Sequence, residues 1–176
     1  MTQEAPKPPA IPRGRGPQVR SLPKAMLQKR LARLAAVQAL YQLEIGGGSP
    51  EKIVHEFLQH RLEEEVDGVS LGELSAPLFG RLVREVSHHR EELDDMLTAV
   101  IAEGWAVERL ETLLRAILRA GLYELAYAQD VPARAVVSEY VDLAHSFFVE
   151  KEPALVNGML DALARQLRTE EFQSAS

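Results

Sequence analysis

The sequence predicts an all-α protein of six or seven helices in two packed helical subdomains, preceded by a disordered basic arm. Apolar residues recur every three or four positions in separate stretches, and glycine or proline interrupts the pattern between them. No stretch alternates convincingly with the period of two that a half-buried β-strand shows. The predicted limits are 1–23 for the arm, 24–104 for the first subdomain and 105–170 for the second.

The arm is predicted from its prolines and its charge. Residues 1–23 hold six of the ten prolines, and the few apolar residues there do not offset the entropic cost of ordering the chain. Residues 1–33 carry a net charge of +7, whereas residues 34–176 sum to −13. A basic arm on an acidic body is typical of a protein that binds a polyanion, and a solvated tail is the alternative interpretation.

Local signals mark the helices of the first subdomain. The first helix is predicted to begin near Pro23 and to end at the glycines 46–48. Ser49-Pro50-Glu51 then provides a hydroxyl cap, a proline at the first helical position and a carboxylate near the positive end of the dipole. A third helix is predicted from about Ser75. Its apolar stripe resumes beyond His88-His89. The sequence therefore leaves two interpretations open, one continuous helix or two separate helices.

The second subdomain is predicted to be built around one central helix. Residues 105–127 form a broad apolar face, and the proline of Asp130-Val131-Pro132 then ends the helical pattern. Two further helices are predicted, one after that turn and one after Lys151-Glu152-Pro153. Gly121 and Gly158 lie inside helical patterns, where glycine is unfavourable. Close approach of a neighbouring helix is the favoured reason, and contact with a ligand is the alternative.

Composition and motifs argue against an enzyme. The chain has no cysteine, which excludes disulfides, thiolate metal sites and a cysteine nucleophile, and it has no glycine-rich phosphate loop. On a helix, the adjacent His88 and His89 point about 100° apart and do not share a metal as i, i+4 ligands do. Acidic runs such as residues 91–95 are interpreted as solvated faces. We therefore predict a non-enzymatic protein without metal or cofactor.

The same sequence predicts a cytoplasmic protein with no membrane contact. No apolar stretch approaches the roughly 18 residues that cross a bilayer. The basic, proline-rich N-terminus lacks the apolar segment of a secretory signal.

The start of the first helix is the candidate RNA-binding site. Lys29, Arg30 and Arg33 stand at i, i+1 and i+4, so that Lys29 and Arg33 share a helix face. Tyr41 follows two turns beyond Arg33, where an exposed ring can stack on a base. Single-stranded RNA is typically bound by cations on its backbone and aromatic rings on its bases. The alternatives are a solvated helix start for the cations and a core position for Tyr41.

Three blocks of sequence carry a family resemblance. The first runs from KRLAR at 29–33 into AVQALY at 36–41, and the second is RAILRAGLYEL at 115–125 followed by DVP at 130–132. The third extends from SE at 138–139 through DLA at 142–144 to VNGMLD at 156–161. In order and separation these blocks, across about residues 25–168, resemble the NusB family of bacterial transcription antitermination factors.

The resemblance implies an all-helical protein without catalytic activity. It implies binding to the single-stranded boxA element of ribosomal-operon RNA together with NusE, a small-subunit ribosomal protein. It further implies action on the RNA polymerase elongation complex with NusA and NusG. Both monomers and homodimers occur in the family, and the sequence leaves the oligomeric state open. Carried over by position, the RNA-binding residues are Lys29, Arg30, Arg33, Tyr41 and Arg119. The NusE surface is expected around Leu114, Arg115 and the residues after Pro132.

The chain departs from the family pattern at two places. Leu31 interrupts the usual run of arginines, and Leu34 stands where the family has an acidic residue. Glu152-Pro153-Ala154-Leu155 replaces the usual Ser-His-Lys-Phe, so a lysine and an aromatic able to touch RNA are absent from the last loop.

Two other classes of function are weighed against RNA binding. A DNA-binding regulator is the main alternative, but the apolar stripe on residues 27–41 leaves only one helix face to enter a groove. A domain that serves a separate catalytic polypeptide is the third hypothesis.

Overall fold

The computed structural model of the chain describes residues 22–66 and 68–173, and the all-α class predicted from the sequence is confirmed. The arm predicted at residues 1–23 lies outside the described residues except for Leu22 and Pro23. Within the described part there are eight α-helices: α1 (Lys24–Gly46), α2 (Pro50–His60), α3 (Ala76–His88), α4 (Arg90–Val100), α5 (Thr112–Tyr127), α6 (Ala133–Phe147), α7 (Glu152–Leu167) and α8 (Thr169–Gln173).

Two features bring the number of helices in the described part to eight, and only the second of them goes beyond the predicted six or seven. His89 separates α3 from α4, which settles the question left open there in favour of two helices. The short α8 lies in the polar tail, where no apolar periodicity predicts a helix. In addition, the central helix α5 begins at Thr112 instead of Trp105, since a 3-10 turn at Val107–Arg109 occupies the preceding residues.

A small strand pair also lies in the acidic connector between α2 and α3. β1 (Glu65–Val66) and β2 (Val69–Ser70) pair antiparallel, with Glu65 opposite Ser70 and Val66 opposite Val69. Two residues per strand are too few for the alternating pattern that reveals a strand in a sequence.

The predicted helix signals of the first subdomain are confirmed. The Oγ of Ser49 accepts a hydrogen bond from the backbone N–H of Lys52 at 3.2 Å, and Pro50 occupies the first turn of α2. The backbone N–H of Gly47 donates to Leu43 O at 2.9 Å, with Gly47 at a φ of 69° that favours glycine. These local interactions fix where α1 ends and α2 begins.

The backbone divides into two compact units, one ending at His88 and the other beginning at His89. In the first unit α1 packs against α2 and α3, and every residue from 31 to 40 is buried. The rings of Phe57 and Phe79 meet at 4.8 Å between centroids in its core. The subdomain limits 24–104 and 105–170 remain a prediction, because a subdomain is defined by independent folding and this division follows backbone proximity.

In the second unit α5 packs against α4, α6 and α7. A Cβ at Gly121 would lie 2.7 Å from Leu160 Cδ1 and 3.2 Å from Tyr140 Cγ, so the predicted close approach of neighbouring helices is confirmed there. The same explanation is wrong for Gly158, which is exposed and has no atom within 4 Å of such a Cβ.

None of the helices in residues 22–66 and 68–173 combines the length and the apolar character that a membrane span requires.

Candidate nucleic-acid interface and partner surface

The beginning of α1 presents positive charge to solvent. Lys24 and Lys29 are exposed and Arg30 is half-buried, and the first turn of α1 contains no acidic residue. The amino end of a helix already carries a partial positive charge from its unsatisfied N–H groups. The side chains and the helix dipole therefore add up to a local field that attracts anions.

The cations at the start of α1 and Arg33 differ in their exposure to solvent. Arg33 is only 5% exposed, whereas Tyr41, at the end of the buried stretch, is half-buried. Helical spacing correctly places Lys29 and Arg33 one turn apart on the same side, but burial increases along that side. The structure thus groups Lys29 and Arg30 at the surface and places Arg33 inside.

Arg119 takes part in a side-chain ion pair within the second unit. Its Nε donates to Asp94 Oδ1 at 2.7 Å and its Nη2 donates to Asp94 Oδ2 at 2.9 Å, a bidentate geometry that joins α5 to α4. Arg119 is 6% exposed. The interpretation of residues 91–95 as a solvated face is therefore wrong for Asp94, whose partner is 25 residues away in the sequence.

The predicted partner residues Leu114 and Arg115 lie in the first turn of α5. Leu114 is buried, at 5% exposure, and Arg115 is half-buried. The Nη1 of Arg115 donates to Glu108 O at 2.9 Å and to Leu110 O at 2.7 Å. Arg115 consequently holds the 3-10 turn against the start of α5.

Arg168, which sequence reasoning missed, closes the end of α5. It is 4% exposed, and its guanidinium donates to four backbone carbonyls in the last turn of α5 and the following loop. These acceptors are Glu124 O at 3.2 Å, Leu125 O at 2.8 Å, Ala128 O at 2.9 Å and Val131 O at 2.9 Å. Glu124 O and Ala128 O also accept backbone N–H groups, whereas the last carbonyls of a helix generally lack such partners, so the buried arginine adds hydrogen bonds that close this terminus.

Glu171 extends this arrangement to α6. Its Oε2 accepts the backbone N–H of Ala133, the first residue of α6, at 2.7 Å, and its Oε1 accepts from Arg168 Nη1 at 2.7 Å. We call Arg168 and Glu171 the C-terminal clamp. The only signal for the clamp in the sequence is an arginine followed by a glutamate three residues later. That signal does not reveal which carbonyls the arginine binds.

Acidification is expected to weaken the C-terminal clamp. The hydrogen bond from the Ala133 N–H, and to a smaller extent that from Arg168, lowers the pKa of Glu171 below its usual value. A carboxyl with a lowered pKa stabilises the fold above its unfolded pKa, and this stabilisation is lost as the pH falls through its folded pKa. In thermal unfolding from neutral pH to about pH 3, Glu171→Gln should therefore lose less stability than the unsubstituted protein. Glu170→Gln is the control, and parallel acid profiles for Glu171→Gln and the unsubstituted protein would contradict the prediction.

A second cluster that the sequence did not predict lies at the start of α4. His89 stacks on Tyr127 at 4.7 Å between ring centroids, and the Tyr127 hydroxyl donates to Glu92 Oε1 at 2.9 Å. The Tyr127 hydrogen bond and then that of His89 lower the pKa of Glu92. This cluster ties the first turn of α4 to the last turn of α5.

Among the described residues, no three His, Asp or Glu side chains come together as metal ligands would.

Fold and site together define a class: an all-α protein that presents cations at the beginning of its first helix. The model of the NusB family matches residues 30–165, so the chain belongs to the NusB family and the resemblance drawn from the three blocks is confirmed. It is 44% identical over 147 residues to the transcription antitermination protein NusB of Rhizobium etli, covering 84% of this chain and 92% of that relative.

Two solved structures are similar in fold and in length. T. maritima NusB has a TM-score of 0.67 at 25% identity, with 86% of this chain and 98% of the other covered. A crystal structure of antitermination factors NusB and NusE in complex with dsRNA has a TM-score of 0.64 at 25% identity. That match covers 78% of this chain and 96% of the other.

Proposed function

We propose that this protein is a cytoplasmic transcription antitermination factor that binds the single-stranded boxA element of ribosomal-operon RNA together with NusE. It then acts with NusA and NusG on the RNA polymerase elongation complex, as a binding protein without catalysis of its own. The observation that carries the proposal is the exposed cationic start of α1 in a chain of the NusB family. The similar NusB solved with NusE and dsRNA supports both ligand classes.

The proposed RNA contacts are Lys29 and Arg30 on phosphates and Tyr41 on a base. Their exposed or half-buried side chains and the dipole of α1 favour an anionic strand. Direct RNA contact by Arg33 and Arg119 remains a prediction from the sequence. Because they are 5% and 6% exposed, we assign them to the support of the surfaces that bind.

The proposed NusE surface is formed by Arg115 and the first turns of α6 after Pro132, and Leu114, which is 5% exposed, is assigned to its support. From His89 to Ser176 the chain has sixteen carboxylate side chains against eight lysines and arginines. Ribosomal proteins bind RNA and are generally basic, so an acidic surface complements such a partner and speeds its association. The charge distribution therefore supports RNA at the start of α1 and a protein on the acidic unit.

Burial of α1 supports RNA over duplex DNA. A recognition helix needs an exposed face several turns long to lie in a major groove. Residues 31–40 are buried all around α1, so its accessible residues are limited to the first two turns and to the end of the helix from Tyr41. A short cationic helix start suits a flexible single strand, which can bend to meet it.

Binding of a labelled boxA oligoribonucleotide, followed by fluorescence anisotropy with and without NusE, tests the proposal. We expect binding that NusE strengthens and that weakens with salt, with a log–log slope of about −0.7 for each phosphate contacted. A scrambled oligoribonucleotide and duplex DNA are the competitors. Absence of binding at low salt in both conditions, or equal competition by duplex DNA, would refute the function.

A further inference from the structure

We propose that Arg134 is a specificity-determining contact for the protein partner and that helix α8 holds it in its binding conformation. The inference rests on the proposed function, since it assigns a role to one residue of the NusE surface that the resemblance places after Pro132. It is carried by a contact between Arg134, at the exposed start of α6, and Phe172 in α8.

Two arginines lie near the ring of Phe172, and they differ in whether they also pair with a carboxylate. The Cζ of Arg134 lies 5.3 Å from the ring centroid, and the Cζ of Arg165 lies 4.7 Å from it. Arg165 also donates from Nε to Asp161 Oδ2 at 2.9 Å. Arg134 forms no ion pair with a carboxylate among the residues that the structure describes. Its guanidinium thus lies over the Phe172 ring on an exposed residue.

The C-terminal clamp fixes the position of both groups. Phe172 directly follows Glu171, whose carboxylate binds the N–H of Ala133, and Arg134 is the next residue in α6. The clamp therefore holds the backbone segments that carry the ring and the guanidinium next to each other. An arginine that is already ordered loses less conformational freedom on binding, which favours affinity.

The surroundings of Arg134 favour a carboxylate of a protein over the phosphates of RNA. Single-stranded nucleic acid is bound by several cations along its backbone, whereas this unit is strongly acidic. Ser138, one turn along the same face, and the adjacent Ala135 are small, uncharged and exposed. An exposed planar guanidinium suits bidentate pairing with one carboxylate, and arginine is enriched at the energetic centres of protein interfaces.

The test compares binding of NusE and binding of boxA RNA alone by the full-length protein. Arg134→Gln should weaken NusE binding about tenfold and leave RNA binding within about twofold. Arg134→Lys should recover only part of the loss, since an ammonium does not pair bidentately. Phe172→Leu should give an intermediate loss through a less ordered Arg134. Arg84→Gln, an exposed arginine of the first unit, is the control, and thermal unfolding verifies that each variant is folded.

The outcomes separate this inference from the function on which it rests. If NusE binds the unsubstituted protein and Arg134→Gln equally well, the inference is overturned and the proposed function stands. If Arg134→Gln weakens binding of RNA alone as much as that of NusE, the ligand of Arg134 is RNA and the inference is again overturned. If NusE does not bind the unsubstituted protein, both fail.

Discussion

A Lys29→Glu/Arg30→Glu double variant is expected to bind boxA RNA about a hundredfold more weakly at low salt. Hydrogen bonds to charged groups are each worth about 1.5 kcal/mol, so the loss of two such contacts corresponds to that factor. At the start of α1 Lys29 is exposed and Arg30 is half-buried, so the fold should tolerate the replacement of both side chains. Anisotropy titrations at several salt concentrations measure the effect.

The salt dependence provides an independent measure of the same contacts. If both cations neutralise phosphates, the log–log slope should become less steep by about 1.4 in the double variant. Lys52→Glu is the matched control, because Lys52 is an exposed lysine on α2 in the same unit. Equal RNA affinity for the double variant and the control would contradict the assignment. Arg33 is unsuited to this test, since reversal of a side chain that is 5% exposed would disturb the fold.

Removal of the Asp94 carboxylate should cause the second large effect, a loss of about 3 kcal/mol in the free energy of unfolding. Asp94→Ala leaves Arg119, 6% exposed, without its bidentate partner, and breaking a buried ion pair on one side costs about 3–5 kcal/mol. The Asp94 side chain is itself 27% exposed, which places the expected loss at the lower end of that range. Urea unfolding followed by circular dichroism measures it.

Two further variants show whether the loss arises from the ion pair. Asp94→Ala/Arg119→Met should be more stable than Asp94→Ala alone, because the buried charge is then gone. Asp95→Ala, at the exposed neighbouring position, should change stability by less than about 0.5 kcal/mol. A loss in Asp95→Ala equal to that in Asp94→Ala would refute the ion-pair explanation. The folded double variant should retain RNA affinity if Arg119 acts as a support.

Helix ends that are fixed by residues close together in the sequence were predictable. Ser49 and Pro50 fix the start of α2, since a cap and a first-turn proline act within four residues of each other. The beginning of α5 was misplaced because Val107 and Leu110 continue the apolar pattern through the 3-10 turn. A buried residue in a 3-10 turn and one in an α-helix look the same in a sequence.

Helix α8 and the ion pair of Arg119 were not predictable for a different reason. The helix TEEFQ is short and polar, and its position depends on Ala133 and on the carbonyls that Arg168 binds far earlier in the chain. Asp94 likewise acquires its role from a helix that follows it. Such contacts depend on how the helices pack, and the spacing of residues along the chain does not specify that packing.

By itself the sequence determined that this chain is all-α, that its first helix starts with cations, and that it resembles the NusB family. Each of these follows from periodicity, capping and residue order, which act locally along the chain. Only the tertiary structure decided that Lys29 is exposed and Arg30 half-buried while Arg33 and Arg119 are buried, and that Arg168 and Glu171 join α5 to α6. The physical reason is that exposure and ion pairing depend on residues brought together by packing, however far apart they stand in the sequence.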